Sequence, residues 1–319
     1  MQPSKTTVIG LFNAPFQYQI PIFQRGYVWT LEKQVAPLWS DIQSQADALL
    51  ERQQLTSGAT TAMKPLPKHF LGSIVMTPVP NAFGRVPMYE VIDGQQRCTT
   101  LHLLLLAMHH AAKDSGQTSV AQMAAAVVRN PGPYLVDAND QHKVWPTQAG
   151  RQEMQGINAA TSVAQICTAY PARDGRNRID RPLMVQTFLY LYHACLAYMR
   201  GVDLSDPVPH PGGADPDRSH SDVLVASIRN ANAVVPVPAA DKANALRAQA
   251  LYMALADQVQ LMTLSLDVDD DPQVIFETLN ARGEPLLASD LVRNFLFLEA
   301  ARQGQPVDAL YATYWSDFD

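Results

Sequence analysis

The chain has 319 residues, of which 47% are hydrophobic and 17% charged, with a formal charge of −6; this fills a substantial core and excludes both global disorder and a basic arm wrapping nucleic acid through bulk charge. The length suits one large domain or two ordinary ones. Cys98, Cys167 and Cys195 lack metal-type spacing, residues 1–10 lack a signal-peptide pattern and no apolar run reaches membrane-spanning length, so a cytoplasmic protein with free thiols and no membrane partner is expected.

In chain order, residues 17–24 (QYQIPIFQ) alternate polar and apolar around Pro21 and predict a short edge strand. Thr30 is placed as a helix N-cap with Glu32 in the first turn, and Val35, Leu38, Trp39, Ile42, Leu49 and Leu50 follow at helical spacing. HFLGSIVMT (69–77) predicts a buried strand and MYEVID (88–93) its hairpin partner. That second strand runs directly into GQQRCTTLHLLLLAMHHAAK (94–113), a helix apolar on nearly every side and therefore central.

Residues 129–182 and 201–240 are rich in Pro, Gly, Asp and Asn, signalling loops around helices near 183–200 and 241–258. Regular order returns with a strand at 260–268, a helix at 272–280 and a last helix capped by Ser289. The expected fold class is mixed α/β (α+β): a single domain with a core over 8–112 plus 258–300, a helical, loop-rich insertion over 113–257, and C-terminal helices.

Three clusters carry the candidate chemistry. In the first, a strand ends at Asp93, Gly94 turns and a helix begins. A helix N-terminus presents unpaired N–H groups and a positive dipole end, a seat for phosphate. Gly94 permits close approach, and Arg97 lies one turn in as a forked cation. Gln95 or Gln96 is placed to hold a water or a polar edge. Asp93 is placed to hold a divalent metal, to orient that water, or simply to cap the helix. Thr99 and Thr100 add hydroxyls.

The second cluster is IPIFQRGYVW (20–29), where Gln24, Arg25, Tyr27 and Trp29 crowd a turn. Arginine beside aromatic faces suits base stacking or a phosphate clamp; the same residues also read as core aromatics with a structural arginine. The third is FETLNARGEPLLASDLVRN (276–294), whose Asn280 and Gly283 punctuate a turn and whose Arg293 and Asn294 lie a turn into the next helix.

Together and in this order, IPIFQRGYVW, HFLGSIV, YEVIDGQQRCTTL and IFETLNARGEPLLASDLVRN resemble the N-terminal domain of GmrSD-type type IV restriction enzymes, with a ParB/sulfiredoxin-like core related to SspE-type proteins. The resemblance implies an NTP-hydrolysing, Mg²⁺-dependent regulatory domain that senses modified DNA and controls a His-Asn-His-type nuclease domain or subunit. Asp93, Gln95, Gln96 and Arg97 would serve hydrolysis, with Asp93 on the metal. Gln24, Arg25, Gly94, Thr99, Thr100, Asn280, Arg293 and Asn294 would hold nucleotide, and Arg25, Tyr27 and Trp29 would read the modification. A module that binds modified DNA without hydrolysis is the alternative, and a homo-oligomer is compatible with either. Arg293 stands where relatives often carry Lys, and Gly26 where Pro or a bulkier residue is common. The eight histidines form no His-Asn-His pattern, so nuclease chemistry is expected outside this chain.

Overall fold

The computed structural model describes residues 2–315 apart from 22–23, 57–64, 81–83, 133–134, 211–212, 234–243, 268–269, 271–274, 276–291, 294, 298 and 301–302. In chain order the elements are β1 (Gln2–Thr7), α1 (Val8–Asn13), β2 (Gln17–Gln19), a π-helical turn (Leu31–Val35) leading into α2 (Ala36–Thr56), β3 (His69–Val79), β4 (Met88–Asp93), α3 (Gln95–Asp114) and α4 (Thr118–Val128). There follow β5 (Val144–Trp145), α5 (Gln148–Ala159), α6 (Val163–Ala169), a β6–β7 hairpin (Arg173–Asp174, Asn177–Arg178), α7 (Leu183–Met199), β8 (Pro207–His210), β9 (Gly213–Ser219), α8 (His220–Asn230), α9 (Ala245–Met253), β10 (Val259–Ser265) and α10 (Val307–Tyr314).

The six-stranded sheet is mixed, in the order β1-β10-β3-β4-β2-β5. β3 and β4 pair antiparallel, as the hairpin pattern predicts, while β10 lies parallel to β3 and β2 parallel to both β4 and β5. The strand expected at an edge over 17–24 is instead internal, between β4 and β5, and is shorter than the alternation suggests. After Gln19 the chain turns, and the Gln24 N–H bonds back to the Pro21 carbonyl at 3.0 Å; Pro21 has no N–H with which to continue a ladder.

α3 is the axis of the molecule. Val91 and α3 residues from Cys98 to Ala112 share one buried cluster with α7, where every residue from Met184 to Met199 is buried. Such helices are hydrophobic all round because neighbours cover every face. The stretch 113–257 is therefore not packed as a separate body: β5 extends the main sheet, and α4 and α7 flank α3. β1, which precedes the expected core boundary at residue 8, adds the opposite edge. Among the described residues no helix is long and apolar enough to cross a membrane, and all three cysteines are free and buried.

Candidate functional site

The site begins at the β4–α3 junction. Gly94 sits at φ +85°, and a Cβ there would lie 2.8 Å from the Ser73 carbonyl oxygen and 3.1 Å from Ile74 Cγ1. Both the left-handed backbone and the missing space require glycine. Beyond it, the N–H groups of Gln95, Gln96 and Arg97 open α3 without an intrahelical acceptor. α3 has no side-chain cap and no acidic residue in its first turn, so nothing within the helix offsets the positive dipole end.

Arg97 projects toward β3. Its Nη1 donates to the Ser73 carbonyl at 2.6 Å, and its guanidinium lies against Gly72, where a Cβ would come within 3.1 Å of Cζ. Gly72, at φ +98°, thus leaves room for the cation. Burial pushes Arg97 below the usual guanidinium range, and the nearby Asp93 carboxylate opposes that shift. Asp93 and Arg97 nonetheless form no ion pair with each other or with any other described residue. A half-buried cation with one carbonyl partner is suited to an added oxyanion.

On another side of α3 lies a narrow cleft. Arg25, Gln95, Thr99, Pro146, Thr147 and Met184 are among its walls, and its enclosed part is about 10 Å³, room for one water-sized atom. Arg97 is not among the lining residues. The structure therefore puts the two candidate arginines in different surroundings around one helix N-terminus. Arg25 is half-buried and has no hydrogen bond or ion pair among the described residues.

Several expected ligands turn out to build the site. The buried Gln96 amide holds the arginine-bearing loop at both ends: Nε2 donates to the Gly26 carbonyl at 2.9 Å and Oε1 accepts the Val28 N–H at 2.9 Å. It positions the loop and also lines the cleft. Gln24 Nε2 donates to the Val91 and Ile92 carbonyls, both at 3.0 Å, fastening the loop to the end of β4. The Gln24 Oε1 is left buried without a donor. Thr100 is fully buried, with Oγ1 donating to the Gln96 carbonyl at 2.8 Å and meeting the Tyr27 hydroxyl at 2.7 Å. It supports the turn and cannot reach a nucleotide without unpacking it.

The aromatic residues of the loop are also engaged in packing, although Tyr27 lines the cleft as well. The Tyr27 hydroxyl also reaches Thr187 Oγ1 at 3.2 Å, tying the loop to α7, and burial pushes its phenol up to about 12. Tyr27 and Trp29 both pack against the core cluster, so their rings brace the loop. Thr30 stands at the helix start as expected, but its side chain makes no cap bond; Gln34 Oε1 instead accepts the Thr30 N–H at 3.0 Å. Arg293 is buried and does not line the cleft. Asn280, Ser289, Asn294 and most of the helix expected over 272–280 lie outside the described residues. Sequence reasoning missed Gly72, Ser73, Pro146, Thr147 and Met184.

A divalent cation of the Mg²⁺ kind binds proteins through one or two carboxylates together with substrate phosphates. The half-buried Asp93 carboxylate, beside the α3 terminus and with no hydrogen-bond or ion-pair partner among the described residues, fits that sparse ligation.

Comparison with curated proteins finds no match. Residues 8–297 match the family model of the GmrSD restriction endonuclease, N-terminal domain, a span that includes β4, α3, the arginine-bearing loop and the whole helical segment. The chain belongs to the GmrSD restriction endonuclease N-terminal domain family, and so to a restriction system acting on DNA in phage defence.

Proposed function

We propose that this domain binds and hydrolyses a nucleoside triphosphate, with the phosphates at the first turn of α3, and that nucleotide occupancy controls a nuclease acting on modified DNA. The observation that carries the reading is the junction itself. Gly94 lets the turn pack closely on β3, the first-turn amides are uncapped, and Asp93 and Arg97 flank it without an ion pair among the described residues. Amides and dipole favour the ground-state phosphates. The Arg97 guanidinium, held by Ser73, stabilises charge that develops on the terminal phosphoryl oxygens.

Hydrolysis joins a water oxygen to the terminal phosphorus while the bond to the bridging oxygen breaks, giving nucleoside diphosphate and inorganic phosphate. Asp93 or Gln95 orients that water. Gln95 Oε1 is buried with no donor of its own, an acceptor suited to one water hydrogen. A bound Mg²⁺ would neutralise phosphate charge, with Asp93 as its protein ligand. Phosphate release measured for Arg97→Ala and Asp93→Ala should fall at least about a hundredfold, the usual cost of removing one transition-state partner. Parent-like rates in both variants would remove the assignment.

A module that reads modified DNA without hydrolysis needs exposed readers. Arg25 remains available for that role, whereas Tyr27 and Trp29 are engaged in packing. The observations favour the nucleotide.

A further inference from the structure

Three helices, α3, α5 and α7, begin at the same narrow cleft, which is lined by Gln95 and Thr99 from the first, the N-cap Thr147 of the second and Met184 from the third. None of the three has a side-chain cap, and none has an acidic residue in its first turn. Asp137 and Ser219 form complete capping boxes at two other helical turns, while α4 is uncapped like these three. The α5 and α7 termini pack closely at Gly150, where a Cβ would lie 2.9 Å from the end of the Met184 side chain.

Independent observations point to a ligand. Thr147 occupies the N-cap of α5, where a threonine hydroxyl ordinarily accepts a first-turn N–H. Here it makes no such bond, although the residue is only 5% exposed and lines the cleft. Thr99, 4% exposed, lines the same cleft, and its hydroxyl also has no partner among the described residues. Arg25 completes the wall as a cation without a carboxylate. Among the described residues nothing bonds the Arg25, Thr99 and Thr147 side chains, so their hydrogen bonds are open to a ligand at the cleft.

We infer that this cleft is a second oxyanion seat, in which Arg25, Thr99 and Thr147 hold one phosphate oxygen at the meeting of three helix N-termini. The inference rests on the nucleotide reading and extends it. Arg97 would serve the reacting end, and the Arg25 seat a different phosphate of the same polyanion. The small enclosed volume admits an oxygen atom and leaves the rest of the phosphate at the mouth. It also gives the helical segment 113–257 a direct part in binding, through Thr147.

The test uses the full chain and calorimetric titration with a non-hydrolysable nucleoside triphosphate, pyrophosphate and an unmodified DNA duplex, on the parent, Thr147→Val, Arg25→Gln and Arg97→Gln. Amide NMR shifts at Gly150 with inorganic phosphate form a separate arm, and thermal melts establish that Thr147→Val is folded. Thr147→Val should weaken triphosphate and pyrophosphate about fivefold and Arg25→Gln about tenfold or more, with Gly150 shifting in the parent alone. If only duplex binding weakens, the seat holds a DNA phosphate and the nucleotide assignment of this cleft is overturned. If Arg97→Gln abolishes triphosphate binding while both cleft variants match the parent, the second seat is overturned and the function proposed above stands. If the parent binds no nucleotide, that function fails, and phosphate-induced shifts at Gly150, present or absent, decide the seat by themselves.

Discussion

Replacing Gln96 with alanine separates a positioning residue from a catalytic one. Two hydrogen bonds of 2.9 Å, to the Gly26 carbonyl and from the Val28 N–H, would vanish. A neutral hydrogen bond is worth about 1 kcal/mol net, and a buried group left unpaired costs about 1–3 kcal/mol. Val28 is exposed, so water can satisfy its N–H, whereas Gly26 is half-buried and recovers less. The better helix propensity of alanine returns a few tenths of a kcal/mol. The net loss is about 2 kcal/mol, or about 4 °C in Tm for a chain of this size. The loop that carries Arg25 would loosen with it, so triphosphate affinity should fall about tenfold, while turnover at saturating nucleotide stays within a few fold of the parent. Differential scanning fluorimetry and steady-state phosphate release read the two effects. Gln96→Glu keeps the Val28 acceptor but sets a carboxylate against the Gly26 carbonyl, and should be at least as damaging. A Gln96→Ala protein with parental Tm and affinity would refute the clamp. Loss of turnover alone would return Gln96 to the chemistry.

Gly94→Ala should destabilise by at least about 2 kcal/mol, because the left-handed backbone costs about 1–2 kcal/mol and the new Cβ would sit 2.8 Å from the Ser73 carbonyl; chemical denaturation reads it, and a neutral result would mean the junction relaxes freely. Tyr27→Phe removes the bonds to Thr100 and Thr187 and should cost about 1–2 kcal/mol while leaving affinity for modified and plain duplexes equal; selective loss of modified-DNA binding would restore Tyr27 as a reader. Burial pushes His102, His110 and His193 down to about 4. Their folded values lie below an unfolded value of about 6.5, so their neutral forms stabilise the fold fully above that pH, and stability is lost as pH falls from there toward 4. Melts across that window should show a steep acid limb. His193 has both ring nitrogens buried without partners, so His193→Leu should hold or raise Tm at pH 7 and flatten the limb; a marked loss at pH 7 would contradict its unsatisfied state.

The β3–β4 hairpin, the turn at Gly94 and the buried helix after it were legible because each leaves a local mark: alternation, a glycine between strand and helix, and unbroken apolar residues. Which of two adjacent glutamines clamps the loop was not. Both line the cleft, and helix phase gives the Gly26 carbonyl to Gln96. The part played by Tyr27 and Trp29 was not legible either, because aromatic residues at a turn look alike whether they meet a ligand or brace a loop. Thr147 was hidden more deeply. It follows a two-residue strand in a Pro- and Gly-rich stretch, and only the pairing of β5 with β2 brings it to α3. Nothing local records a contact across some fifty residues of chain.

The most direct test of the account is a crystal structure of the full chain with Mg²⁺ and a non-hydrolysable nucleoside triphosphate. The account predicts phosphate density over the first turn of α3, with the Arg97 guanidinium and the Gly94–Gln96 backbone on the phosphate oxygens and Asp93 on the metal. Density for the triphosphate elsewhere, with the α3 terminus and Arg97 untouched, would contradict it.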